Sequence, residues 1–300
     1  MSTPVPDPVH RPAGAQAIVP REKLDFDLDG DIPRYWFGGD AFKTRFFDAM
    51  STIFPEGERF FIVCVRDYRD RVSDPQLQQD IKDFIRQEGQ HGMLHDRFNN
   101  RLKQQGIDVD GIERVQRWFI DFARKYNSKA FTISMTAAAE HMTAIMAHSF
   151  FGRREVMAEC DPRMRALYAW HAMEEIEHKT VAFDVMQKTA GVGYLMRMLG
   201  MLQVSIGFPL NTFLVMRYMF RIDGFRWWQL PGLWARGFWW LYKPRTGLFS
   251  SVLGHYFSYL RPGFHPAQEG QTESYRVWLD TFNSTRDPIR ASEAVLAVAA

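Results

Sequence analysis

Two Glu-x-x-His steps constrain this chain more than any other feature: Glu88-Gly-Gln-His91 and Glu175-Ile-Glu-His178. Residues three and four apart on a helix share a face, so each step presents a carboxylate beside an imidazole. The second step is extended backwards by His171, which shares the stripe of Glu175 and His178 at i, i+4 and i+7. Each step also follows a lone glutamate on an earlier apolar segment. Glu58 lies 30 residues before Glu88, and Glu140 lies 35 residues before Glu175. A buried carboxylate without a partner is costly, and Thr136-Ala-Ala-Ala-Glu140 offers none to Glu140. A shared cation, or a pair of them, would relieve all four segments at once.

Hydrophobic periodicity places these residues on helices. Phe42, Phe46, Phe47, Met50, Ile53 and Phe54 recur at helical spacing from Ala41 onward. Pro55-Glu56-Gly57 is expected to break or kink that helix, so that Glu58 belongs to a resumed run with Phe61, Ile62 and Val65. Glu56 is its rival at the kink. Ser73-Asp74-Pro75 is a capped start for a helix reaching about Gln105 and closed by Gly106. A shorter amphipathic helix is expected over 111–126 and a long apolar one over 129–157. Asp161-Pro162 opens another, reaching Ala190 and stopped by Gly191 and Gly193. No alternating strand pattern precedes that point.

The chain is therefore expected to be all-α, with two long hairpins over roughly 41–105 and 128–190. Each supplies one glutamate from its first helix and a Glu-x-x-His from its second. This is the ligand arrangement of a ferritin-like four-helix bundle with a dinuclear metal centre. The expected metal ligands are Glu58, Glu88, His91, Glu140, His171, Glu175 and His178. His95 and Glu174 stand beside them, as further ligands or as groups that hydrogen-bond the ligands. Glu177, His141 and His148 are read as outer, surface or packed groups. Carboxylates can bridge and neutralise two close cations, and one imidazole per ion leaves positions open for water, O2 or substrate. Iron is expected first, then manganese or a mixed iron/manganese pair, with zinc last.

Beyond the bundle, expected over 24–190, the chain changes character. Residues 1–23 are Pro-rich and read as a disordered or draping arm. Residues 191–265 read as an aromatic-rich hydrophobic helical extension, and 266–300 as a polar tail ending in a short helix. Met198 to Met216 carries no charge over 19 residues, near the ~20 needed to cross a bilayer. Five of the nine tryptophans crowd into 227–240 among Arg226, Arg236 and the nearby Lys243 and Arg245, a pairing typical of membrane interfaces. A capping extension, peripheral membrane contact and a single span all remain open here. The net charge of +2 and the lack of a basic run argue against nucleic acid. Two cysteines without a CxxC exclude a disulfide scaffold and a cysteine zinc site. They suit a cytoplasmic location, with contact at the inner membrane face.

Two resemblances sharpen these expectations. His171-x3-Glu175-x2-His178 resembles the pattern of the di-iron arylamine N-oxygenases related to p-aminobenzoate N-oxygenase, which implies a third histidine, His171, on one iron. Over roughly 20–265 the tracts QEGQHGMLH and WHAMEEIEHKTVAFDV, with PRYWFGGD and PEGERFF upstream, resemble a bacterial family named as metal-dependent hydrolases. That likeness implies a ferritin-like metal-binding fold. Three functions follow. The first is a di-iron oxidoreductase activating O2 against a hydrophobic organic substrate, served by an external electron donor. The second is a hydrolase using a metal-bridging water. The third is metal storage or a membrane-associated module. A homodimer is the expected assembly.

Overall fold

The computed structural model describes residues 14–270 and 272–299, and the described residues are helical apart from turns and one isolated bridge between Phe37 and Cys160. The helices are α1 (Ala41–Arg66), α2 (Pro75–Gln104), α3 (Val109–Tyr126), α4 (Lys129–Phe151), α5 (Arg154–Met157) and α6 (Pro162–His178). They continue with α7 (Val181–Asp184), α8 (Tyr194–Ile222), α9 (Leu230–Tyr242), α10 (Leu253–Ser258), α11 (Glu273–Thr285) and α12 (Pro288–Val298). Helix starts follow local chemistry. Asp74 accepts from the backbone N–H of Gln76, and Asp161 from that of Arg163, each with proline in the first turn. Gly106 follows α2 at φ +86°, a left-handed conformation that favours glycine.

α1 packs on α2 and on α4, and α6 packs on α4 and on α2, so the four enclose a common interior. α8 runs along α4 and α1. Gly200 permits that approach, because a Cβ there would stand 2.7 Å from the backbone of Ser134. α3 crosses α1, and the hairpin of α11 and α12 covers α6. The last segment is thus not simply a polar tail: Tyr275, Trp278, Phe282 and Val295 all enter the core. The first 13 residues of the expected arm lie outside the described residues. Of its remainder, Ile18 and Arg21 are buried against the bundle.

Three expectations about helix ends need correction. The apolar helix from Lys129 stops at Phe151, with Arg154–Met157 a separate turn. The helix from Pro162 ends at His178, and a turn at Lys179-Thr180 precedes the continuation to Thr189. The larger correction is at Pro55, which does not break the helix: α1 runs through it unbroken. Proline lacks the N–H that would bond the carbonyl four residues earlier. That carbonyl, on Ser51, instead accepts from Asn99 Nδ2 of α2 at 3.0 Å. A neighbouring helix has supplied the missing donor.

Asn99 is fully buried. Replacing it with leucine is expected to leave the Ser51 carbonyl without a donor and to cost about 1–3 kcal/mol. Urea unfolding of the variant would check this. Unchanged stability would mean that the helix tolerates Pro55 without help.

Candidate metal centre

The seven expected ligands come from the four core helices and meet in the interior: Glu58 from α1, Glu88 and His91 from α2, Glu140 from α4, and His171, Glu175 and His178 from α6. None is more than 5% exposed. Ligand atoms of Glu88, Glu175 and His178 lie within 4.8 Å of one another. The same holds for Glu58, Glu88 and His91, for His91, His171 and Glu175, and for Glu58, His95 and His171. His178 Nε2 faces Glu88 at 3.1 Å, Glu140 at 3.2 Å and Glu175 at 3.3 Å. Glu56, the rival of Glu58, turns away to Arg117 at 2.7 Å. His141 also points outward, its Nε2 meeting the carbonyl of His255 at 3.0 Å, while His148 stacks on the ring of His255.

Both carboxylate oxygens of Glu58, Glu88 and Glu140, together with His91 Nδ1 and His178 Nε2, are buried without a hydrogen-bond partner. Orphaned buried polar atoms are rare because each costs about 1–3 kcal/mol. These eight converge on one spot, whereas others, such as Arg165 Nε, Arg197 Nε and Trp278 Nε1, are scattered through the molecule. The surrounding bonds show which nitrogen of each imidazole faces inward. His91 Nε2 donates to Glu174 at 3.1 Å, which leaves the Nδ1 lone pair directed at Glu88 and Glu175. His178 Nδ1 donates to Gln87 Oε1 at 3.0 Å, which leaves Nε2 for the carboxylates. The Gln87 amide is itself oriented, since its Nε2 donates to Glu177 at 2.8 Å.

His171 and His95 are resolved by the same reasoning. Asn99 donates its Nδ2 to the Ser51 carbonyl, so its Oδ1 accepts from Ser51 Oγ at 2.8 Å. Ser51 Oγ then accepts from His95 Nδ1 at 2.8 Å, which leaves His95 Nε2 bare to accept from His171 Nδ1 at 2.7 Å. His171 Nε2 is bare in turn, yet it lies 2.9 Å from Glu175 Oε1. Two acceptors at that distance repel unless a cation or a proton stands between them. His171 therefore offers a lone pair to the site, whereas both nitrogens of His95 are engaged behind it.

The electrostatics agree. Burial pushes the Glu58 and Glu88 carboxyls well above the usual range, and neighbouring carboxylates push them further. Burial lifts Glu140 to about 7 although His178 pulls the other way. Burial opposes charge on His178, but Glu140 and Glu175 overcome it and hold the imidazole well above its ordinary value. Glu175 is desolvated too, yet His178 and His171 keep it well below the usual range. A site that draws protons into its interior lacks positive charge, and divalent ions would supply it.

The interior opens on one side. A cavity of about 520 Å³ ends on Glu58, His171, Glu175 and Thr143, and its walls include Phe54, Phe61, Phe119, Met135 and Met142. Thr143 Oγ1 also donates to Glu175. Glu88, His91, Glu140 and His178 do not line this cavity.

A family model described as predicted metal-dependent hydrolase matches residues 20–270. The chain belongs to this family. No curated protein and no solved structure matches it. Metal dependence thus rests on the family description together with the clustered glutamates and histidines.

Several residues of this family member that shape the site were not singled out from sequence. Gln87 orients His178, and Arg21 reaches from the arm to Glu174 at 3.0 Å and Glu177 at 2.7 Å. One signal was available for Gln87: it precedes Glu88 just as Glu174 precedes Glu175, and each holds the histidine of the opposite Glu-x-x-His. Nothing local marks Arg21, because its partners are about 150 residues away.

Proposed function

We propose that the protein is a hydrolase with a dinuclear metal centre in a ferritin-like four-helix bundle, acting on an apolar substrate. The observation that carries this is the set of unpartnered carboxylate and imidazole atoms at the inner end of an apolar cavity. Glu58, Glu88, His91, Glu140, His171, Glu175 and His178 would hold two ions. Glu88 and Glu175 stand between the His91 and His178 sides, as bridging groups would. The donors are oxygen-rich with imidazole and no thiolate, which favours iron or manganese ahead of zinc. Two such ions, when bound, lower the pKa of a shared water and polarise the bond to be cleaved.

The chain's own residues do the rest. The aromatic and methionine walls bind the apolar part of the substrate and exclude water. Glu58, His171 and Glu175 form the floor against which the reacting group rests, and Gln87, Glu174 and His95 keep the imidazoles aimed. A second reading, O2-dependent oxidation of an apolar substrate, is favoured by the carboxylate-rich donor set.

Oxygen dependence separates them. Protein loaded with zinc or manganese is expected to hydrolyse medium-chain p-nitrophenyl esters without O2. Glu175→Gln should lower the rate at least ~100-fold by removing one of the charges that would hold the ions. No anaerobic hydrolysis, with substrate-dependent O2 uptake by iron-loaded protein, would transfer the conclusion to oxidation.

A further inference from the structure

The outer surface around the cavity mouth extends well beyond the walls that hold the substrate. α3 is turned so that its apolar side faces out. Val115, Trp118, Phe119, Phe122 and Tyr126 form one stripe, each at least 50% exposed. Two of its three arginines meanwhile reach toward the bundle, Arg117 to the buried Glu56 and Arg124 to Asp67 at 3.0 Å. An ordinary surface helix places these two sides the other way round. α8 repeats the feature: Leu195, Leu199, Leu202, Ile206, Leu210 and Leu214 are all exposed at steps of three or four. Arg217 and Arg221 continue the same stripe and are exposed as well.

The two stripes flank one opening. Trp118, Phe119 and Phe122 line the cavity from α3, and Gln203, Gly207 and Asn211 line it from α8. The helices are joined there by paired amides, Gln116 and Asn211, at 2.9 and 2.6 Å. Exposed apolar surface on this scale marks an interaction site.

We infer that this face docks on an anionic lipid bilayer, with the cavity mouth turned to the acyl chains. Charge favours lipid as the occupant. Between residues 185 and 268 the only carboxylate is Asp223, and Arg45 holds it at 2.6 Å. Arg217, Arg221, Arg226, Arg236, Lys243 and Arg245 are exposed in the same segment, so that this part of the face would repel its counterpart on a second copy, while α3 adds charges of both signs. Exposed Trp227, Trp228 and Trp239 add the aromatic side chains that settle at headgroup depth. A protein partner would also seal the mouth, whereas a bilayer leaves it open to a lipid-dissolved substrate.

α8 is the one helix among the described residues long and apolar enough to cross a membrane. Its opposite side, however, packs along α4 and α1, so it lies on the surface of the bundle as a peripheral docking face would. The substrate route rests on the cavity reading proposed above, but docking itself is measurable without turnover, so either can fail alone.

The test is flotation with phosphatidylglycerol/phosphatidylethanolamine vesicles and with phosphatidylcholine vesicles. The parent protein is expected to float with the anionic vesicles, and more weakly with the neutral ones. Phe119→Glu/Phe122→Glu and Ile206→Glu/Leu210→Glu should each reduce the bound fraction at least ~10-fold, with helix content and metal content unchanged. A parent that stays behind with both vesicle types overturns the inference. So does a parent that is dimeric by light scattering, binds no vesicles and becomes monomeric with the same substitutions, since the face would then join two copies.

Discussion

Replacing Arg21 with glutamine is expected to destabilise the protein by about 3–5 kcal/mol and to weaken metal binding about 10- to 100-fold. Arg21 is 6% exposed and sits between two buried carboxylates, Glu174 and Glu177, with its guanidinium over the ring of Trp278. Removing it leaves both charges buried and unpaired. The damage then spreads to the metal centre by two routes. Glu174 holds His91 directly, and Glu177 holds Gln87, which holds His178. Urea unfolding and competition with a chromophoric chelator would measure the two effects. Arg21→Lys should fall between, because an ammonium keeps the charge but cannot span both carboxylates with a planar fork. Parent-like stability and affinity in Arg21→Gln would show that the arm merely covers the bundle.

Metal should also reverse the protein's response to pH. Glu140 and Glu174 have folded values of about 7, well above an unfolded carboxylate, with burial the leading cause in each. A group raised in this way contributes stability below its unfolded value, and that contribution is lost as pH rises through the folded one. His178, also raised, acts in the same direction. The buried His91, His95, His141 and His148, all lowered mainly by burial and the last two to about 4, act the other way, but only as pH falls through the ordinary imidazole value of 6.5. Between pH 8 and 6.5 the metal-free protein should therefore become more stable on acidification. Metal binding needs ionised carboxylates and neutral imidazoles, so the gain from added metal should shrink over the same interval. Thermal melts with and without manganese across that window would check both signs. A metal-free protein that loses stability on acidification there would contradict the assignment of these groups to one buried cluster.

The helical framework was legible wherever it depended on neighbours along the chain. Asp74-Pro75 and Asp161-Pro162 begin helices because capping and the first-turn proline act within a few residues. The convergence of the seven candidate residues was legible because helical geometry converts spacing into a shared face, and each hairpin repeats the same pattern. The expected break at Pro55 failed for the opposite reason. Its cost is set by a carbonyl whose new donor, Asn99, lies 48 residues away. The distinct roles of His95 and His171 were equally hidden, since they follow from which way the Asn99 amide points.

Local pattern alone thus specified the helices and the stripes of glutamate and histidine they carry, because both rest on interactions three or four residues in range. Three matters were left to the tertiary structure: which nitrogen faces inward, how an arginine from the arm braces both histidines, and which side of α3 meets solvent. Each depends on groups brought together from distant parts of the chain. Buried hydrogen bonds and charges acquire their energies only from the partners that packing supplies.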